Sequence, residues 1–267
     1  VGESIRAREE IPDFTNRNDE IGQLSGSFRE MTAALYRRLD AIETFAADVA
    51  HELKNPLTSM RSAAETLKLV KTDEQRNRLI DIIENDVKRL DRLISDISDA
   101  SRLDAELARE DPSIINIKEL LEGTLNVFND IHRGNQPEVI LNIDLGSKAE
   151  KFFMIRGHES RIGQVLNNLL DNAISFSPEG SNIWVTAKRR KTHIIIYVED
   201  AGPGIPQEHL HKIFKRFYTD RPEGEEFGNN SGLGLSISQQ IITAHKGNIW
   251  AENRYSQPGH YNKEHIE

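Results

Sequence analysis

The sequence predicts a two-helix hairpin that pairs with a second copy into an antiparallel four-helix bundle, followed by an α/β domain. Three observations carry this expectation. Apolar residues recur at steps of three or four from Ile21 to Leu67, the period of one helix face. A short polar break at residues 71–74 then separates that stripe from a second one, formed by Leu79, Ile83, Val87, Leu90, Ile94 and Ile97. Beyond Asp111 and Pro112, strand-like runs alternate with helical ones.

The first stripe comprises Ile21, Leu24, Phe28, Met31, Leu35, Leu39, Ile42, Ala46 and Val49, and continues through Leu53, Leu57, Met60, Ala64 and Leu67. Two successive steps of four, Met31 to Leu35 to Leu39, insert a stutter that changes supercoiling locally. The unbroken stripe reads as a coiled coil feeding a bundle. One hairpin cannot bury both stripes, so a homodimer through the helical bundle is the natural solution. In the second half, residues 139–143, 182–188 and 193–198 read as strands, and residues 161–174 and 233–244 as helices. An α/β domain is therefore expected over roughly 112–255.

Composition narrows the class of function. The chain has 267 residues, 37% hydrophobic and 29% charged, with a formal net charge of −9. That balance permits a packed core and argues against wholesale disorder. A net negative chain without a long basic run is a poor nucleic-acid binder, because such binding rests on Lys and Arg neutralising phosphates. The absence of cysteine excludes disulfide scaffolds and cysteine-based zinc sites. No apolar run approaches the length of about 18 residues needed to span a bilayer. The start at Val1, without an initiator Met, reads as a cut inside a longer protein.

His51 lies within the first stripe but off its apolar face. At about 100° per residue, Ala46, Val49, Leu53, Leu57 and Met60 fall within about 40° of one direction, and His51 lies about 160° away. Asn55, four residues on, shares its face. An imidazole offered to solvent, with the Glu52 carboxylate beside it and an amide one turn away, suits nucleophilic chemistry near neutral pH. Glu52 can take a proton or hold the ring tautomer, and Asn55 can orient a water. Pro56 removes a backbone donor and is expected to kink or loosen the helix there. His-Glu-x-x-His would bind zinc, but position 55 is Asn, so the second ligand is missing.

Three further motifs follow. Asn168 and Asn172 stand one turn apart on a helix, where amide oxygens suit Mg²⁺; taken alone, such pairs are usually solvated faces or caps. Asp200 ends a strand and leads into Gly202-Pro-Gly204. Its carboxylate can accept from an amino group such as that of adenine, although a plain strand-to-turn connection fits this motif equally. Ser231-Gly232-Leu233-Gly234 opens a helix, a ready anion site. It lacks the Lys-Ser/Thr of a Walker loop and is not a Rossmann fingerprint. Between the glycine loops lie Phe214, Arg216 and Phe217, then a polar stretch over residues 219–230 that reads as a lid.

In this order and spacing, His-Glu-x-x-Asn-Pro, Asn-x-x-x-Asn, Asp-x-Gly-x-Gly, Phe-x-x-Phe and Gly-Leu-Gly-Leu resemble the sensor histidine kinases of two-component systems. The likeness covers about residues 40–250. Residues 11–38, with Asp19-Glu20-Ile21-Gly22, resemble the second half of a HAMP linker, which in that family lies just inside a transmembrane helix. The stretch from Arg221 to Gly228 resembles an alphaproteobacterial branch of the family. The resemblance implies a dimeric helical bundle followed by a Bergerat-type α/β sandwich. Its domains would be a partial HAMP linker and coiled-coil helix over 1–38, a dimerisation and histidine phosphotransfer domain over 39–108, and a catalytic ATP-binding domain over 109–267. It implies ATP-dependent autophosphorylation of His51, helped by Glu52, and transfer to an aspartate of a cognate response regulator. Asn55 would support dephosphorylation of that partner. Asn168 and Asn172 would hold Mg²⁺ and Asp200 would contact adenine. Gly202, Gly204, Phe214, Arg216, Phe217, Ser231, Gly232, Leu233 and Gly234 would complete the ATP pocket. The full-length protein would be membrane-anchored upstream, with this part on the cytoplasmic side of the bacterial inner membrane.

The sequence departs from the family pattern in places. Ser175 stands where a phosphate-reaching Lys is frequent, and Thr219 where an Arg often follows the Phe-Tyr pair. Phosphate neutralisation would then rest on Arg216, Arg221 or the metal. Residues 255–267 are polar where an apolar last strand is usual, so that strand is missing or this end derives from an altered reading frame or an added tail. Related gyrase-like, Hsp90-like and MutL-like ATPases carry a glutamate as general base at the position of Asn168, an amide that cannot take a proton. This favours transfer to histidine over hydrolysis. A degenerate kinase acting only as a dimeric scaffold is the other reading, opposed by the intact His51, Asn172 and Asp200.

Overall fold

A computed structural model of the chain describes residues 11–109, 111–131, 137–144, 153–218 and 231–254, apart from the side chains of 104–108. It divides into two compact units, 1–55 and 56–267, and each is taken by itself.

The first unit holds a short lead-in and the larger part of a 48-residue helix, α1 (Glu20–Leu67). Asp19 caps the helix: its Oδ1 accepts the Gly22 N–H at 3.1 Å, serving one of the donors that a helix start leaves over. The lead-in is tied to the first turns by Phe14 N–H donating to Ser25 Oγ and by the Ser25 hydroxyl donating to the Pro12 carbonyl, both at 3.1 Å. Arg29 reaches back to the Ile11 carbonyl at 2.7 Å. Along the helix the apolar stripe Leu24, Phe28, Met31, Leu35, Leu39 and Ile42 stands exposed.

The second unit opens with the last turns of α1 and with α2 (Asp73–Arg109). The helical run of α1 continues through Pro56, which is buried. Thr72 Oγ1 accepts the Gln75 N–H at 3.4 Å, and Asp73 and Glu74 occupy the first turn of α2, where the helix dipole favours acids. Ala63, Leu93 and Leu103 are buried. Leu57, Val87 and Ile94, however, are 54%, 52% and 56% exposed, so much of the hairpin's apolar surface faces outward. Met60 is half-buried; in the first unit Val49 and Leu53 are half-buried, while Ala46 is exposed.

The α/β region contains β1 (Ser113–Asn116), α3 (Ile117–Ile131), β2 (Glu138–Asp144), β3 (Met154–Gly157), α4 (Glu159–Phe176), β4 (Asn182–Arg189), β5 (Ile194–Glu199) and α5 (Gly234–Ala244). The strands read from sequence are β2, β4 and β5; β1, α3 and β3 are additional. β1 and β3 form an antiparallel pair. The main sheet has the order β2-β4-β5, with β2 parallel to β4 and β4 antiparallel to β5. The parallel pairing needs a crossover, which β3 and α4 provide.

Helices α3, α4 and α5 pack beside one another, α3 against β2 and α4 against β5. The core between them takes Leu121, Leu125 and Phe128 from α3, Leu166 and Leu170 from α4, and Ile237 and Ile241 from α5. Ile183, Val185 and Ala187 of β4 complete it at strand spacing. Among the described residues no helix is long and apolar enough to cross a membrane.

Leu170 is 1% exposed within this core, and Ile114 on the small sheet is 76% exposed. Leu170→Ala is expected to lower the unfolding free energy by about 3 kcal/mol, and Ile114→Ala by less than about 0.5 kcal/mol, in urea titrations.

Candidate functional site

In the first unit, His51 is exposed, Glu52 is half-buried and Asn55 is exposed. The helix thus presents the imidazole and the amide outward on one face, as their spacing of four demands.

The other sequence-predicted residues lie in the second unit, where α4 and α5 run side by side. The Asn168 Nδ2 donates to the Gly234 carbonyl at 3.0 Å and to Ser238 Oγ at 3.3 Å. The Ser238 hydroxyl donates to the same carbonyl at 2.8 Å. One turn before, Leu233 N–H donates to Ser231 Oγ at 3.1 Å and the Ser236 hydroxyl donates to the Leu233 carbonyl at 2.8 Å. The glycine-rich turn is therefore bound to the helix it opens and to α4. Only glycine fits at position 232, which has φ +73° and where a Cβ would lie 2.8 Å from the Cα of Phe217. Phe217 is itself in the left-handed region, at φ 58°, and its N–H donates to the Gly232 carbonyl at 2.9 Å. Residues 217 and 232 are the two roots of the lid stretch read from sequence. The stretch itself, with Thr219 and Arg221, lies outside the described residues, as do residues 255–267.

Asp200 follows β5 and is exposed. Its Oδ1 accepts the Gly202 N–H at 2.8 Å, and a carboxylate's second oxygen can accept from a further donor. Further along the loop, the Asn253 side chain pairs with both backbone groups of Ile205. The Arg254 guanidinium pairs with Glu199, immediately before Asp200. Neither Asn253 nor Arg254 was singled out by the sequence. Asn172 and Phe214 are half-buried and Arg216 is exposed.

Helix α2 also reaches this region. Its Asp96 accepts the Ser231 hydroxyl, and its Asp99 accepts from the Gln164 side chain at 3.0 Å. Burial pushes the Asp96 carboxyl above its ordinary range; nearby Asp99 and Asp171 add to this, while the Ser231 hydroxyl and Arg92 oppose it. Burial likewise lowers the Arg92 guanidinium, against the pull of Asp171 and Asp96.

The donor set suits a magnesium nucleotide. Asn168 commits its NH₂ group to Gly234 and Ser238, so its carbonyl oxygen is the atom left to meet a cation, and Asn172 adds a second amide one turn on. α5 begins at Gly234, beside Asn168, and a helix amino end is a favourable place for phosphate.

This combination of an outward histidine on a helical hairpin with an amide-and-glycine nucleotide site has matches among known domains. The His Kinase A (phospho-acceptor) domain matches residues 41–106, and the Histidine kinase-, DNA gyrase B-, and HSP90-like ATPase domain matches residues 157–263. The chain belongs to the sensor histidine kinase family. Within it, the chain is 56% identical over 257 residues to Sensor protein ChvG of Rhizobium meliloti and 56% identical over 255 residues to Sensor protein ChvG of Agrobacterium fabrum. Each match covers 95% of this chain but only 44% and 43% of those proteins, so the chain spans less than half the length of these relatives. Among solved structures, histidine kinase ThkA in complex with response regulator protein TrrA superposes with a TM-score of 0.64 at 28% identity, covering 89% of this chain and 65% of that one. Acinetobacter baumannii histidine kinase AdeS gives a TM-score of 0.56 at 27% identity, covering 76% and 91%.

The half-buried Asp96 carboxyl makes the stability of the fold depend on pH. Because it titrates above its unfolded value, its ionised form is disfavoured in the folded chain. That penalty is present at neutral pH, shrinks as pH falls below the raised pKa and is gone below the unfolded value. Asp96→Asn removes the charge and keeps an oxygen to accept from Ser231. The variant is expected to melt higher than the parent at pH 7, with the gap closing on acidification, as followed by circular dichroism.

Proposed function

We propose that this chain is the catalytic part of a sensor kinase that phosphorylates His51 from ATP and passes the phosphoryl group to an aspartate of a response regulator. The imidazole nitrogen of His51 attacks the γ-phosphorus. A P–N bond forms as the bridging P–O bond to the leaving ADP breaks, and Glu52 takes the proton released from the ring. In the second step the regulator's carboxylate attacks that phosphorus, a P–O bond forms, and His51 leaves and regains a proton. Asp200 accepts from the adenine amino group, and the Gly232–Gly234 turn with the amino end of α5 receives the phosphates. Mg²⁺, held through Asn168 and Asn172, would neutralise phosphate charge.

The observation that carries this reading is Asn168. Its amide cannot act as a general base, and its NH₂ group is already committed to Gly234 and Ser238. A site built this way binds a nucleotide but does not activate water. The acceptor is therefore sought elsewhere, and His51, exposed and followed by Glu52 and Asn55, fits it. The exposed apolar surface at Leu57, Val87 and Ile94 supports a homodimer through the bundle. We assign to Asn55 the positioning of water for dephosphorylating the regulator. The HAMP-like residues 11–38 support a membrane anchor upstream, with this part on the cytoplasmic face of the inner membrane. The three expected domains, 1–38, 39–108 and 109–267, are the units of this scheme.

Two outcomes are expected with labelled ATP. The parent chain acquires acid-labile, alkali-stable label, and His51→Gln loses it by at least about a hundredfold while ATP affinity stays within about twofold. Free phosphate without protein label would mean an ATPase instead. Asn55→Ala is expected to keep autophosphorylation and slow dephosphorylation of the phosphorylated regulator by about tenfold, read as release of phosphate.

A further inference from the structure

We infer that Asn253 is a positioning residue for the nucleobase end of the site and sets its preference for an amino-bearing purine; this deepens, and rests on, the nucleotide reading above. The Ile205 N–H donates to Asn253 Oδ1 at 2.8 Å, and Asn253 Nδ2 donates to the Ile205 carbonyl at 2.5 Å. One side-chain amide thus pairs with both backbone groups of one residue, as a neighbouring strand would. The approach is close: a Cβ on Gly204, which has φ +79°, would stand 3.0 Å from Asn253 Oδ1. The next residue, Arg254, pairs with Glu199 at the other end of the same loop. Two consecutive residues therefore clasp the 199–205 loop at both ends, with Asp200 between them.

The clasp has a reason in the loop's composition. Ala201-Gly202-Pro203-Gly204 contains two glycines, whose backbones lose the most conformational freedom on ordering. Asp200 is exposed and its Oδ1 is held by a donor of that same loop, Gly202 N–H. The direction of its second oxygen thus depends on how the loop is held. An adenine amino group donates to that oxygen. A guanine presents a carbonyl oxygen at the matching ring position, which a fixed carboxylate repels. A loosened loop weakens the attraction and relieves the repulsion, so the base preference falls while phosphate binding persists.

The test uses the 267-residue chain and displacement of a trinitrophenyl-ATP probe by ATP and by GTP. Asn253→Ala is expected to weaken ATP binding about tenfold and to leave GTP binding within about twofold, so that the ATP-to-GTP preference collapses. Asn253→Asp matches Asn in shape but turns a donor into an acceptor facing the Ile205 carbonyl. The same collapse is expected there, and this variant carries the test should Asn253→Ala lose its fold. Unchanged preference in both variants, or equal weakening of ATP and GTP, would overturn the inference. If Asp200→Asn abolishes the preference while the Asn253 variants keep it, the inference fails and the nucleotide reading stands. No displacement of the probe by ATP in the parent chain overturns both.

Discussion

The nucleotide half of the molecule depends on one side-chain amide. Asn168 of α4 holds the Gly234 carbonyl and Ser238 of α5 at once. This tie sets where the amino end of α5 sits relative to α4, and hence where backbone donors and amide oxygens converge. An apolar residue at that position would remove the donor that α4 gives to the Gly234 carbonyl and to Ser238, in a half-buried setting where unmade hydrogen bonds are costly. The same amide leaves only an oxygen for a cation. The constraint that builds the site and the chemistry that the site offers are thus one residue.

Around that anchor, loops are held by contacts distant in sequence. Phe217 joins Gly232, Ser231 joins Asp96, and Asn253 joins Ile205. These ties work because each polar group at the loop finds a partner on a rigid element or on a loop already fixed by one. The contact of Asp96 differs in character. It brings a carboxylate, together with Asp99, close to a turn suited to anionic phosphates, and burial resists its ionisation. This contact sits at the junction between α2 and the α/β region.

Much of this was legible in the chain. The stripes from Ile21 to Leu67 and from Leu79 to Ile97 became α1 and α2 because periodic apolar residues specify a helix face without reference to anything distant. β4 and β5 were readable from their β-branched runs. β1 and β3, four residues each, were not, since so short a strand has no period to detect and forms only through its partner. α3 was also missed, although Leu121, Leu125 and Phe128 carry its buried face. At the site, His51, Asn168, Asp200 and the glycines were marked by local motif. Asp96 and Asn253 were not, because each acts on a residue that sequence separates from it by 135 and 48 positions.

The sequence by itself therefore determined the helical hairpin, the outward face of His51, the order of the nucleotide motifs and the family to which they belong. These follow from periodicity and from residue types at short, fixed spacings. Only the tertiary structure decided that Asn168 spends its NH₂ group on α5, that Phe217 lies in the left-handed region against Gly232, and that residues 253 and 254 close the loop bearing Asp200. Those are pairings between distant backbone groups and side chains. Their geometry exists only once the sheet and helices have brought them within hydrogen-bond reach.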